Sequence, residues 1–329
     1  MSNPIAVSIS RDRFATKGVF TISRGSRTHA DVLSVALRCG DYVGMGECVP
    51  YARYGETLDS VTEQILSVQA ALQAGMGRED LQQRLPAGAA RNALDCALWD
   101  LEAKTSGQPV WQLAGLDEPK PVVTAFTLSL DTPSNMRASA QENAERPLLK
   151  IKLGGEGDVA RLSAVREGAP ECQLIVDANE GWTVEQYTAL APVMLSLGVA
   201  LVEQPLPAGD DTALTGLDRP LPICADEACH DRQSLASLAN KYDVVNIKLD
   251  KAGGLTEALQ LRTEAIAAGF EVMVGCMVGS SLAMAPALLV AQGVQYTDLD
   301  GPLLLAEDRS TPMHFDGSTI HPASNQLWG

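Results

Sequence analysis

Between Leu148 and Gly254 the chain repeats one pattern five times: a short apolar run that ends in charge. The runs read LLKIKLG, LIVDANEG, LVEQPLP, LPICADE and VVNIKLDKAGG. They deliver Lys150 and Lys152, Asp177 and Asn179, Glu203, Asp226 and Glu227, and finally Lys248. Charge at the end of a buried strand is costly unless it is paired or binds a metal. Asp177, Glu203 and Asp226 come from three successive runs, so their carboxylates can converge on one ion. No histidine or thiolate shares their spacing, and an all-oxygen donor set selects a hard cation, Mg²⁺ before zinc. The competing reading is that these acids only neutralise Lys150, Lys152 and Lys248. A lysine beside a metal and a second cation, however, loses proton affinity and becomes available as a base. Lys150 supplies such a neighbour for Lys152. Lys152 and Lys248, set on opposite sides of one site, suit removal of a proton from one face of a carbon and delivery to the other.

Elements that could position these groups follow a regular period. From Val122 onward, strand centres fall near residues 125, 151, 175, 202, 224, 247, 273 and 298. Helical stretches fit between them, among them Pro133 to Glu145, Val184 to Leu197, Gln233 to Asn240 and Thr256 to Ala268. The strands are nearly continuous apolar runs, as in a parallel sheet buried on both faces. Eight strands at this period predict a (β/α)₈-type barrel, an α/β fold, with an open doubly wound sheet as the alternative. No GxGxxG follows a strand, which weakens that alternative. In a barrel the charged residues occupy the C-terminal strand ends, where catalytic groups belong. Lys150 and Lys152 are two apart, so both point inward.

The first 40 residues alternate as antiparallel strands in three runs, IAVSISRDRF, VFTISRGSR and DVLSVALRCG, before a Gly- and Tyr-rich loop, VGMGECVPYARYG. Helical spacing predicts one helix from Thr57 to about Ala74 and another from Ala89 to about Thr105. The expected organisation is an α+β capping domain over residues 1–118, the barrel over 119–300 and a tail, 301–329, that packs back on the capping domain. A net charge of −16 argues against nucleic acid and anionic membrane surfaces. No apolar run approaches the roughly 20 residues of a membrane span, and no secretory signal is visible. Seven scattered cysteines without a CxxC fit reduced thiols in the cytoplasm. The four histidines have no metal-ligand spacing and read as surface or loop residues.

The order KxK, DxN, E, DE, K behind an α+β domain resembles the enolase superfamily, muconate-lactonising subgroup, and within it the dipeptide epimerases. The similarity spans essentially the whole chain and includes ISRGSR, GECVPYARYGE, ALDCALWDLEAKTSGQPVWQLAG, VDANEGW, NIKLDKAGGLTEAL, GCMVGSS and DLDGP. The resemblance implies an enolase-like, modified (β/α)₈-type barrel using lysine bases with Mg²⁺. It implies one Mg²⁺ per subunit on Asp177, Glu203 and Asp226. Lys152 and Lys248 would be the two acid/base catalysts, and Lys150 would contact the substrate carboxylate and tune Lys152. Asp298 and Asp300 would grip the free ammonium of a dipeptide; a capped barrel end is their other reading. Arg24, with Arg27 as a nearby alternative, would take a glutamate side-chain carboxylate, for which a guanidinium fork is suited. Tyr51, in the loop with Arg53 and Tyr54, would cover the site, while Thr127, Cys276 and Val278 would contact the dipeptide largely by backbone. The implied reaction is a 1,1-proton transfer at the C-terminal α-carbon of L-Ala-L-Glu and L-Ala-D-Glu, as in recycling of cell-wall peptides, by a homo-oligomer. Other dipeptides, N-acylamino-acid racemisation and succinylbenzoate synthesis stay open, as does a non-catalytic binding protein, although such a protein would have no reason to keep all three acids and three lysines.

Overall fold

The computed structural model describes residues 4–329. Strand β1 (Ala6–Ile22) and β2 (Gly25–Cys39) form a long antiparallel hairpin, and β3 (Tyr42–Cys48) adds to β2. Two differences from the sequence reading stand out. The first two alternating runs are one strand, because the register shifts between Ala15 and Phe20 and the chain bulges around Gly18, at φ +105°, before resuming. VGMGEC, expected as loop, is the third strand; its glycines serve close packing rather than a turn. A Cβ on Gly46 would lie 2.1 Å from the Ala93 carbonyl oxygen and one on Gly44 2.2 Å from that of Ala97.

Helix α1 (Leu58–Ser67) starts at a capping box between Thr57 and Ser60. The expected single helix breaks at Val68, and a second short turn covers Gln69–Gln73. Helix α2 (Ala89–Ser106) is buried nearly all round. One side, with Ala93, Ala97 and Leu101, packs in the core of the capping domain. Its Cys96, Trp99 and Ala103 join the core of the barrel instead. A helix between two layers needs apolar residues on both faces.

Eight parallel strands form the second layer: β4 (Phe126–Leu128), β5 (Leu148–Lys152), β6 (Gln173–Asp177), β7 (Val199–Glu203), β8 (Ile223–Ala225), β9 (Val244–Ile247), β10 (Glu271–Gly275) and β11 (Tyr296–Asp298). They are ordered sequentially, and Ala125 N donates to Thr297 O at 2.8 Å where β11 meets β4. Helices α3 (Pro133–Glu142), α4 (Asp158–Gly168), α5 (Val184–Ser196), α6 (Leu255–Ala267) and α7 (Ser281–Val290) lie between strands. The barrel is modified at three connections, and the one between β8 and β9 carries only a 3₁₀ turn, Arg232–Ser234, and four helical residues, Leu235–Leu238, in place of the helix expected from Gln233 to Asn240. Between β7 and β8 there is only a single 3₁₀ turn, Thr212–Leu214, and β11 is followed by four helical residues, Gly301–Leu304.

Inside the barrel, one residue per strand forms an apolar plug: Ala125, Leu148, Ile175, Leu201, Cys224, Val244, Met273 and Tyr296. Inward positions recur every second residue. The next layer up is therefore Thr127, Lys150, Asp177, Glu203, Asp226, Asn246, Gly275 and Asp298, a polar floor laid on the plug.

The tail ties the layers together. Its hairpin, Phe315–Asp316 with Thr319–Ile320, pairs with Val122–Val123. Arg309 donates to Glu47 on β3 and to Ser280 before α7, and Trp328 Nε1 donates to Cys96 O. Among the described residues no helix is long and apolar enough to cross a membrane. Because α2 leaves no room at Gly46, Gly46→Ala is expected to lower unfolding free energy by about 1–3 kcal/mol. The urea midpoint should fall without a change in slope; an unchanged midpoint would contradict this packing.

Candidate active site

The polar floor brings together the residues picked out by their strand-end positions. Asp177, Glu203 and Asp226 are buried, and one carboxylate oxygen of each lies within 4.8 Å of the other two. Lys152 Nζ donates to Asp177 Oδ2 at 2.6 Å, and Lys248 Nζ to Asp226 Oδ2 at 2.7 Å. Lys150 Nζ sits among Glu203, Asp298 and Asp177, at 2.6, 2.7 and 3.3 Å. Gly275 makes room for this arrangement: a Cβ there would meet Asn246 Oδ1 at 2.6 Å and Lys248 Cε at 3.1 Å.

These charges set one another's protonation. Burial opposes the ammonium of Lys150, but Asp298, Glu203 and Asp177 together raise it well above its ordinary range. Lys248 is raised in the same way, Asp226 overcoming burial. Acids outnumber cations around this amine, so the protein's own groups favour its charged form. Asp177 is drawn down because Lys152 and Lys150 outweigh its burial. Glu203 is pushed up by burial and by Asp177, despite Lys150.

Backbone strain aims the acids. Asn179, Glu180 and Gln204 hold φ of 45°, 66° and 34°, immediately after Asp177 and Glu203. Such conformations cost roughly 1–3 kcal/mol each and persist where surrounding bonds enforce them. Asn179 N donates to Asp177 Oδ1 at 2.8 Å. Gln204 Oε1 accepts Asp226 N and Ala228 N at 2.9 and 3.0 Å, and its amide nitrogen donates to Leu206 O and the Tyr242 hydroxyl. Asn246 Nδ2 holds Glu203 Oε1 at 2.8 Å. Glu203 Oε2 touches Lys150 yet makes no hydrogen bond among the described residues. Three convergent carboxylates with no nitrogen or sulfur donor fit a hard divalent cation.

Lys251 was not anticipated. Its buried ammonium donates to Asp226 Oδ1 at 2.6 Å, to Asn246 O at 3.0 Å and to Asp226 O. It fixes one oxygen of Asp226 and leaves Oδ2 to Lys248. The available signal was a second lysine three residues after Lys248, one helical turn on.

The capping domain roofs a narrow cleft above this floor. Arg24 lies in the two-residue turn between β1 and β2. Its guanidinium donates to Asn179 O at 2.7 Å, to the Tyr51 hydroxyl at 3.3 Å and pairs with Glu227 Oε1 at 2.7 Å. Arg24 thus points into the cleft, and Arg27 lies over the Tyr51 ring. Arg53 grips Glu180 with two bonds, at 2.8 and 2.7 Å. The cleft wall includes Arg24, Tyr51, Thr127, Lys150, Lys152, Asp226, Lys248, Cys276, Val278, Asp298 and Asp300; Asp177 and Glu203 lie behind it. Sequence reasoning left out Phe20, Ile22, Met277 and Leu304, apolar liners with no chemical signature, and the contacts of Tyr54, Asn179 and Glu227. Burial, Asp298 and Asp300 raise the Cys276 thiol, so it is a wall residue and no nucleophile. His230, expected at the surface or in a loop, sits in a loop but is half-buried edge-on against Tyr54.

Residues 4–115 match the family model for the mandelate racemase / muconate lactonizing enzyme N-terminal domain, and residues 135–318 match the enolase C-terminal domain-like model. The chain belongs to the mandelate racemase / muconate lactonizing enzyme family of the enolase superfamily. Within this family it is 50% identical over 304 residues to the L-Ala-D/L-Glu epimerase of Escherichia coli (strain K12), covering 92% of this chain and 95% of that protein. It is 44% identical over 300 residues to an N-acetyl-D-glutamate racemase of Pseudoalteromonas sp, covering 91% and 95%. Among solved structures it resembles an enolase family member from Agrobacterium tumefaciens with homology to dipeptide epimerases, which holds sodium and L-Ala-L-Glu. Identity there is 53%, TM-score 0.97, and coverage 99% and 100%.

Lys251→Met would strip a buried carboxylate of one of its two lysine partners. Breaking such a pair from one side costs about 3–5 kcal/mol, which chemical denaturation should register. A loss below about 1 kcal/mol would show that Lys251 does not support Asp226.

Proposed function

We propose that the protein is a Mg²⁺-dependent dipeptide epimerase that inverts the α-carbon of the C-terminal residue, interconverting L-Ala-L-Glu and L-Ala-D-Glu. The crossed layout of the cleft carries this reading. Lys152 ends β5 and Lys248 follows β9, four strands away around a ring of eight, so the two amines face each other. On the other diagonal, Asp298 and Asp300 sit at the end of β11 while Arg24 reaches from the roof over the ends of β6 and β8. A dipeptide laid along that diagonal offers its ammonium to the two aspartates and its glutamyl side chain to Arg24. Its C-terminal α-carbon then lies between the lysines.

Each residue has a physical task in this pose. Asp298 Oδ1 is buried without a hydrogen-bond partner among the described residues, an acceptor matched to an ammonium donor. Arg24, its side chain 27% exposed and charged, offers a fork to a carboxylate. Asp177, Glu203 and Asp226 would hold Mg²⁺, which supplies Lewis-acid stabilisation of charge developing on the substrate carboxylate and offsets the acids that keep Lys248 protonated. One lysine removes the α-proton and the other returns one to the opposite face; the roles exchange in the reverse direction. Lys150, bound to Glu203 and Asp298, links the two halves of the cleft.

Racemisation of an N-acylated glutamate is a second reading, supported by the 44% identical racemase. It uses the same lysines but brings no cation to Asp298 and Asp300. The dipeptide reading carries with it a role in cell-wall peptide turnover, a cytoplasmic setting and homo-oligomeric assembly; scattered cysteines without a CxxC support a reducing compartment.

Proton NMR of L-Ala-L-Glu in D₂O with enzyme and Mg²⁺ should show loss of the glutamyl α-proton signal together with appearance of the D-epimer. Activity on N-acetylglutamate alone would move the second reading to the front, and no exchange with either compound or a panel of dipeptides would end both. Burial and Asp298 raise Asp300 to about 7. Its proton competes with the substrate ammonium, so kcat/KM for the dipeptide should rise with pH up to about 7 and level above it, by as much as about tenfold per unit below 7. Asp300→Asn should remove that limb; a limb that persists would assign it to another group.

A further inference from the structure

The turn after β9, Lys248 to Thr256, is clasped by one face of α2. Asp250 Oδ1 accepts Asn92 Nδ2 at 2.8 Å and Val49 N at 3.0 Å. The carbonyls of Ala252 and Gly253 accept from Arg91, at 2.7 and 3.1 Å. Asp95 accepts Thr256 N at 2.9 Å and its hydroxyl at 2.7 Å, and Trp99 Nε1 donates to that hydroxyl at 2.9 Å. Residues 91, 92, 95 and 99 share one side of a helix. Gly253 and Gly254, at φ +83° and +110°, press against it so closely that a Cβ would fall 2.4 Å from Arg91 Nε and 2.5 Å from Asp95 Cβ. Lys152 is held differently. The amides of Gly154 and Gly155 beyond it donate to Asp158, which also takes Trp182 Nε1, all four being barrel residues.

We propose that α2 of the capping domain is the positioning element for Lys248, through Asn92, Arg91 and Asp95, whereas the turn after Lys152 takes its hydrogen bonds from barrel residues. The proposal rests on the two-lysine reading given above. It makes the capping domain responsible for one of the two faces on which the α-carbon is protonated. Weakening the clasp acts on that face selectively. Loss of an alignment of this kind costs up to about 100-fold for a displacement near 1 Å.

Thr256→Val, nearly isosteric, and Asn92→Ala are the test variants, each in the full chain with Mg²⁺. Lys152→Ala and Lys248→Ala first assign which epimer each lysine deprotonates, from α-proton exchange in D₂O starting with L-Ala-L-Glu or L-Ala-D-Glu. In both clasp variants, exchange from the epimer served by Lys248 should fall about 10- to 100-fold, with the other epimer changed less than about threefold. Amide hydrogen exchange by mass spectrometry should show lost protection across 248–256 with 148–154 unchanged. Equal losses for both epimers, or unaltered exchange and protection, would overturn the proposal. If the wild-type chain exchanges neither epimer, the epimerase reading fails instead. Amide protection then decides the clasp alone: deprotection confined to 248–256 upholds it and unchanged protection rejects it.

Discussion

Everything in this molecule answers to one electrostatic constraint: a layer of carboxylates and lysines must stay charged inside a barrel. Each charge alone would be prohibitive to bury. Interleaved at 2.6–2.7 Å, Lys150, Lys152, Lys248 and Lys251 make the acids tolerable and the acids make the lysines tolerable. The apolar plug beneath denies the layer water from below, and the roof restricts water from above. A buried ionic layer is weak support for stability; its worth here lies in holding reactive groups at fixed mutual positions without reorganisation.

The strain beside the acids fits the same logic. Left-handed backbone at Asn179, Glu180 and Gln204 is unfavourable locally, and the side chain of Gln204 offsets it by binding four partners on three segments. Neighbouring strand ends are thereby locked to each other. Rigidity at the floor contrasts with the roof, where Arg24 and Arg53 are partly exposed and their contacts are rearrangeable ion pairs.

What was legible in the chain was what depends on local period. Alternation by two places Lys150 and Lys152 on one side of β5, and the 22–27 residue spacing sets eight strands in a ring, so the floor could be laid out strand by strand. What depends on docking between layers was not legible. Gly44 and Gly46 read as loop residues because the helix that demands them lies some 50 residues on. Lys251 was passed over because its partner, Asp226, lies 25 residues earlier on another strand end. Arg24 was found through resemblance, and its entry into the cleft follows from a tight turn pinned to Asn179.

The clasp between α2 and the turn after β9 also bears on how the chain is made. Its partners are separated by about 160 residues in sequence. At ribosomal speeds of roughly 5–20 residues per second, α2 leaves the tunnel some 8–32 s before the turn it holds. During that interval Arg91, Asn92 and Asp95 lack their partners in the turn after β9, and a helix that is apolar on both faces has only half its burial available. The nascent capping layer is therefore an incomplete intermediate, and the acid–base centre is among the last parts of the molecule to be completed.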